Sequence, residues 1–293
     1  MENNHQVTVL INCFNEEKLI ARAIDSALKQ TYKNLEVIIW DDGSTDKTFE
    51  IAQSFNDNRI KVFRNSQNLG LGKSRIKAQT HISGDYVTIL DADDYYANTK
   101  IEKQVEIFKK HEDVSLVTTW TKLFDENNKI FRLFNSNLGN NELRKLIIFY
   151  NFLFHSSIMY RTKIAKKVGW YSKEFEYSQD YDLTLKILKQ NKLHVIKEYL
   201  TFASFRGNNM STSKNLQMIV SNEKIDICQK ILKNYNLEKK QINLLNDIIN
   251  INLIKKYLTN LSFLKIFLIL IKNPFIIFKF SLMKNIHKKI NEI

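Results

Sequence analysis

Four short stretches hold the residues most able to do chemistry. Asp91-Ala92-Asp93-Asp94 places three carboxylates within four positions. Such a cluster repels itself, and a hard divalent cation, Mg2+ or Mn2+, relieves it by taking oxygen ligands that it can share with phosphates. At the end of an extended strand Asp91 and Asp93 face one side; a solvated acidic turn is the other reading. In Asp41-Asp42-Gly43-Ser44-Thr45-Asp46 the last three residues suit a helix N-cap. That leaves Asp41 and Asp42 to accept hydrogen bonds from a nucleobase or a ribose. Asn68-Leu69-Gly70-Leu71-Gly72-Lys73-Ser74-Arg75 puts glycines and two cations ahead of a helix, a pattern that lets backbone N–H groups approach an anion. Its spacing is neither that of a phosphate-binding P-loop nor of a dinucleotide fingerprint. Asp180, in Gln179-Asp180-Tyr181-Asp182, fits either an N-cap or a general base, and His155, within an apolar run, reads as a core histidine or a ligand.

These residues need a frame. Apolar β-branched runs at 7–11, 35–40, 59–63 and 86–90 read as strands. Helical patterns separate them: Leu19, Ile20, Ala23, Ile24, Ala27 and Leu28 form one apolar face, and further helices are expected over 46–55 and 73–81. A β-α-β-α-β-α-β order predicts an α/β fold with a parallel sheet, and ligands bind beyond the carboxyl ends of such strands. The polar clusters at 12–17, 41–46, 68–75 and 91–94 fall at those ends. Beyond them the spacing predicts a helix over 98–111, strands at 114–119 and 129–134 joined by a hairpin, and helices at 140–149, 162–168 and 180–191 around a short strand near 157–160. Residues 215–260 read as wholly helical.

Taken together, VTVLINCFNEE, DDGSTDKT, NLGLGKSR, GDYVTILDADD and SQDYDLTL resemble, in order and spacing over about residues 7–213, the inverting nucleotide-sugar glycosyltransferases of family 2, non-processive and of the bacterial surface-glycan type. The resemblance implies the GT-A fold, a Rossmann-like mixed sheet flanked by helices. It implies that Phe14 packs on the nucleobase and that Asp42 contacts uracil or ribose. Asp91 and Asp93 match the family's D-x-D, with Asp93 on a Mn2+ or Mg2+ ion and Asp94 a substitute ligand. Asp180 matches the catalytic base, and His155 lies near the transferred sugar. Arg206 is the contact from a loop, SFRGNNMSTS, that closes over the diphosphate, and Glu16 and Lys73 join the donor-binding set. Asn12 and Gln179 depart from the family's Pro and Glu, and the stretch from Lys73 to Lys77 departs from its small-x-Ala-Arg-Asn. The absence of Gln-x-x-Arg-Trp implies transfer of a single sugar rather than processive synthesis. The expected activity is metal-dependent transfer from a UDP-sugar to a glycan or lipid-linked acceptor in capsule or lipo-oligosaccharide assembly. The rivals are a sugar-nucleotide binder without transfer activity and a nucleotidyltransferase. The latter wants a glycine-rich basic loop after the first strand, where Asn12 to Glu17 is acidic and lacks glycine.

Composition sets the remaining bounds. The 293 residues carry a net charge of +13, 44% apolar residues, two cysteines and one proline, Pro274. Global disorder, collagen-like repeats, a disulfide framework and a cysteine zinc site are excluded. The charge is uneven: residues 215–293 hold 13 Lys and five acids, +8 of the total. Acidic front loops and an apolar tail argue against a nucleic-acid partner. The expected organisation is a catalytic domain over 1–214 and a basic, apolar helical tail over 215–293. Within Leu261–Leu282, Lys265, Lys272 and Lys279 recur every seven residues. That pattern suits a helix lying on an anionic membrane surface through 261–289 better than one spanning it. Packing on the catalytic portion, or on a second copy in a homodimer, is the alternative. With no signal peptide expected, the reading places the protein in the cytoplasm, peripheral at the inner face of the plasma membrane.

Overall fold

The computed structural model describes residues 5–206, 216–259, 263–273 and 276. Strand β1 (Val7–Cys13) leads to α1 (Ile20–Leu28), β2 (Leu35–Asp41), α2 (Thr48–Gln53), β3 (Ile60–Arg64), α3 (Leu71–Ala78) and β4 (Tyr86–Ile89). β1 pairs in parallel with both β2 and β4, and β2 with β3. The alternation expected for the front of the chain is therefore present. Val7, Val9 and Ile11 of β1 and Val37 and Ile39 of β2 are fully buried in the same cluster as Ile20, Ala23, Ile24 and Ala27 of α1. The period-2 faces of the strands thus meet the 3.6-period face of the helix.

The chain continues through β5 (Tyr95–Tyr96), α4 (Lys100–Lys110), β6 (Val114–Phe124), β7 (Ile130–Phe134), α5 (Asn140–Leu146), β8 (Met159–Arg161), α6 (Thr162–Lys167), α7 (Gln179–Leu188) and β9 (Lys192–Ser204). Among the described residues one mixed sheet runs β3-β2-β1-β4-β8-β6-β9-β5, with β7 added on β6. β8 is antiparallel to β4 and β6, whereas β6 and β9 are parallel. The fold is α/β, as expected, and two strands lay outside the sequence reading. β5 has only two residues. β9 has thirteen, but its register on β6 shifts three times and Lys197 and Glu198 interrupt its apolar run, so no steady alternation survives.

The chain divides into two compact units. The first comprises Met1–Lys145 with Phe152–Phe205, and the second Leu146–Asn151 with Arg206–Ile293. The second contains α8 (Gln217–Asn234), α9 (Lys239–Thr259) and α10 (Phe263–Lys272). Its interior holds Ile225, Cys228 and Ile231 of α8 and Leu245, Ile248 and Ile251 of α9. Among the described residues no helix is long and apolar enough to cross a membrane.

Candidate active site

The carboxyl ends of β1 and β2 are stitched together by their own loops. Asn15, in the left-handed region at φ 53°, donates its N–H to Ser44 Oγ (2.9 Å), and its Oδ1 accepts from the Thr45 N–H (2.8 Å). The Glu16 N–H reaches Thr48 Oγ1 at 2.7 Å, and the Glu16 carbonyl accepts from Leu19 and Ile20 to start α1. Phe14, just before these anchors, is 40% exposed.

The two acids of β2 have different roles. Asp41 is fully buried, accepts from the Ser44 N–H and hydroxyl, and pairs with Arg64 at 3.1 Å. The sequence left Asp41 open to a ligand; the structure closes it into the turn. Asp42 is also buried, and its Oδ1 accepts from the Asn65 amide (2.7 Å) and the Leu69 N–H (3.0 Å). Its Oδ2 takes no hydrogen bond from the described residues. Gly43 makes this possible: at φ +73°, a Cβ there would lie 2.6 Å from the backbone of Gln67, in the segment that carries Leu69.

The glycine-rich loop differs from its sequence reading as an anion cradle. The Leu69 N–H goes to Asp42 and the Gly70 N–H to Asn68 Oδ1 (2.8 Å), so two of its backbone donors are used internally. α3 starts at Leu71 rather than Lys73. A Cβ on Gly72 would meet Gln179 Nε2 at 2.6 Å and the carbonyls of Phe175 and Glu176 at 3.2 Å. Gly72 therefore lets α3 approach the start of α7. Lys73 is exposed. Arg75 is buried, reaches Asp91 Oδ1 at 3.4 Å, and holds its guanidinium 6.0 Å from the ring centre of Tyr171.

After β4 the chain turns instead of staying extended: the Asp94 N–H donates to the Asp91 carbonyl (2.9 Å). The three acids are thereby sorted. Asp94 Oδ2 accepts from the Ser156 hydroxyl and Oδ1 from the Ser204 N–H (2.8 Å), which ties it into the fold. Burial pushes its carboxyl well up, with Asp93 and Asp91 adding repulsion. Asp91 keeps 38% of its side chain open. Its surroundings push its carboxyl up to about 6, chiefly by desolvation; Asp93 and Asp180 add to the shift and Arg75 opposes it. Asp93 is half-buried, and its carbonyl accepts from Arg22 Nη2 at 2.9 Å.

The electrostatic coupling of Asp91 to Asp180 joins the second half of the chain to this cluster. Asp180 lies in the first turn of α7, one residue inside the helix; the N-cap is Ser178, so the capping alternative for Asp180 does not hold. His155 opens a single 3-10 turn (His155–Ser157) and is buried. Its Nε2 meets the Tyr171 hydroxyl at 3.1 Å, and that hydroxyl meets Tyr160 at 2.9 Å. Burial, helped by the charge of Arg75, pushes His155 well below the usual imidazole range, so the ring is neutral. Sequence reasoning missed Ser156, Tyr171 and Arg22. Ser156, adjacent to His155, accepts from the Asp91 N–H (3.1 Å) while donating to Asp94. Arg22 bonds Asn128 Oδ1 (2.7 Å) as well as the Asp93 carbonyl and covers Tyr95 and Phe124, clamping the β6–β7 hairpin to the acidic turn. Arg206 follows β9 and falls in the second compact unit. The rest of the expected closing loop, 207–213, lies outside the described residues.

The donor set fits a divalent cation. Asp91 and Asp93 are both partly exposed, and the repulsion between them is one that a cation would offset. Among the described residues no group of three or more His, Cys, Asp and Glu side chains forms a cage by itself. Phosphate and water would complete the coordination, as is usual for Mg2+.

The family model for glycosyl transferase family 2 matches residues 8–169. An uncharacterized glycosyltransferase of Methanocaldococcus jannaschii is 33% identical over 200 residues, 66% of this chain and 69% of that one. The Escherichia coli UDP-Glc:alpha-D-GlcNAc-diphosphoundecaprenol beta-1,3-glucosyltransferase WfgD is 28% identical over 215 residues, 73% of this chain and 81% of that one. Among solved structures, S. aureus TarS 1-349 in complex with UDP-GlcNAc superposes with a TM-score of 0.67 at 22% identity, covering 86% of this chain and 72% of TarS 1-349. With a mixed sheet of this topology and a family match over more than half its length, the chain belongs to glycosyl transferase family 2 and is a glycosyltransferase of the GT-A fold.

Proposed function

We propose that the protein moves a single sugar from a UDP-sugar to a hydroxyl of a glycan or lipid-linked glycan acceptor, with inversion at the anomeric carbon, in bacterial surface-glycan assembly. One observation carries the reading: Asp180, at the start of α7, lies within electrostatic reach of Asp91 and of the buried tyrosine pair. A carboxylate there takes the proton of an acceptor hydroxyl as its oxygen attacks the face of the sugar opposite the diphosphate. General-base assistance of this kind contributes about 10²–10⁴-fold. Phe14 offers a face for the base, and Asp42 Oδ2 accepts from uracil or ribose. Glu16 and Lys73 supply further polar contacts to the donor. Neutral His155 sits by the transferred sugar. Asp93, with Asp91 beside it, would hold Mn2+ or Mg2+, and Asp94 supports the turn from behind. The bound ion would act as a Lewis acid toward the charge growing on the leaving diphosphate. The name of the E. coli relative supports a UDP-sugar donor and a diphosphoundecaprenol-linked acceptor.

The test is slow hydrolysis of a panel of UDP- and GDP-sugars, read as release of the nucleoside diphosphate. One UDP-sugar is expected to stand out, with loss of release under EDTA and recovery on adding Mn2+ or Mg2+. Equal release with and without the metal overturns the metal assignment. Release from GDP-sugars alone overturns the donor.

A further inference from the structure

Helix α10 has an apolar face turned to solvent. Leu264, Phe267, Leu268 and Ile271 recur at i, i+3, i+4 and i+7 and are 72, 58, 50 and 60% exposed. Ile266, Ile269 and Leu270, on the other side, are partly buried. Lys265 and Lys272 both stand about a quarter-turn from the middle of the stripe and on the same flank of it. Their charged heads can sit at the boundary between apolar and aqueous surroundings while their stems follow the apolar face. The Lys265 ammonium lies 5.2 Å from the ring centre of Tyr257 on α9. A soluble surface rarely leaves four large apolar side chains contiguous without a partner.

We propose that α10 is a membrane-surface element that lies flat on an anionic bilayer, with this stripe at the acyl boundary and the two lysines among the headgroups. The charge pattern selects the occupant. Residues 248–291 contain eight Lys and no Asp or Glu. Two copies joined stripe to stripe and antiparallel would bring their lysines together, and in either orientation the segment holds no acid to pair with them. Anionic headgroups supply the missing charge. The helix is ten residues long, about 15 Å, half the thickness of a bilayer core, so it lies on the membrane rather than spanning it. The inference is independent of the donor and acceptor assigned above.

Sedimentation of the full chain with vesicles tests it. The protein is expected to pellet with vesicles of phosphatidylcholine containing about a third phosphatidylglycerol, to stay in solution with phosphatidylcholine alone, and to be released as salt screens the attraction. The double variant Phe267→Gln/Leu268→Gln should partition at least about tenfold more weakly, since it removes two of the four inserted apolar side chains. Lys265→Gln/Lys272→Gln should lose the preference for the anionic lipid. UDP release should be unchanged in both. No pelleting of the parent chain, or equal pelleting of the parent and the Phe267/Leu268 variant, overturns the proposal. A dimer in light scattering that the same variant dissociates overturns it in favour of a second copy of this chain.

Discussion

The loops that follow β1 and β2 and the segments that carry His155 and Asp180 converge on one site but are held in different ways. In the first region two neighbouring loops satisfy each other: Asn15 with Ser44 and Thr45, Glu16 with Thr48, Asp41 with Ser44 and Arg64. The result is a stiff ledge on which Phe14 and one oxygen of Asp42 remain available. In the second region the site residues are held by partners far away in the chain. Ser156 bonds Asp94 across 62 positions, Ser204 bonds Asp94 across 110, and Gly72 of α3 backs onto the residue before Asp180. A preformed ledge suits recognition of the constant part of a donor. Segments placed by long-range packing can change with the acceptor while the ledge stays the same. On the proposed function, the first region would hold the nucleotide, and the second would face the transferred sugar and take the acceptor proton at Asp180.

Four substitutions sharpen or break that division. Asp180→Asn should have the largest effect, lowering turnover by about 10²–10⁴-fold or more because an amide cannot take the proton; UDP release with acceptor present measures it. Gly43→Ala comes next. It forces a side chain into the left-handed region against the Gln67 backbone, at a cost of about 2–3 kcal/mol, visible as a lower Tm. By displacing the segment that holds Asp42 it should raise the donor KM more than it lowers kcat. Ser156→Ala leaves the Asp91 N–H and one Asp94 oxygen short of a partner, for about 1–3 kcal/mol of stability, and should lower kcat with less effect on donor affinity. Arg22→Lys should be mildest, a few-fold in kcat/KM, because a single ammonium cannot replace both arms of the clamp on Asn128 and the Asp93 carbonyl. If Ser156→Ala instead raised only the donor KM, the two regions would not be functionally distinct.

The same contrast governs what was legible in the sequence. β1 to β4 could be read because local periodicity and turn residues specify them, and the acids at their ends follow from the topology. The partners of those acids could not be read in the same way. That Asp94 faces Ser156 and Ser204, that Arg75 meets Asp91, and that Gly72 serves a packing contact with Gln179 are products of chain segments meeting at long range. β9 escaped notice because its bulges break the alternation that marks a strand. The role proposed for Asp180 came from the resemblance, since the residues themselves left an N-cap open; the N-cap at Ser178 removes that alternative.

The most direct test of the division is the affinity of Asp180→Asn for the UDP-sugar identified by the donor panel, measured by titration calorimetry in the presence of Mn2+. The account predicts binding within about threefold of the parent, because Asp180 serves the acceptor proton and not the nucleotide. A loss of donor affinity of about tenfold or more would contradict it and would assign Asp180 to the donor site.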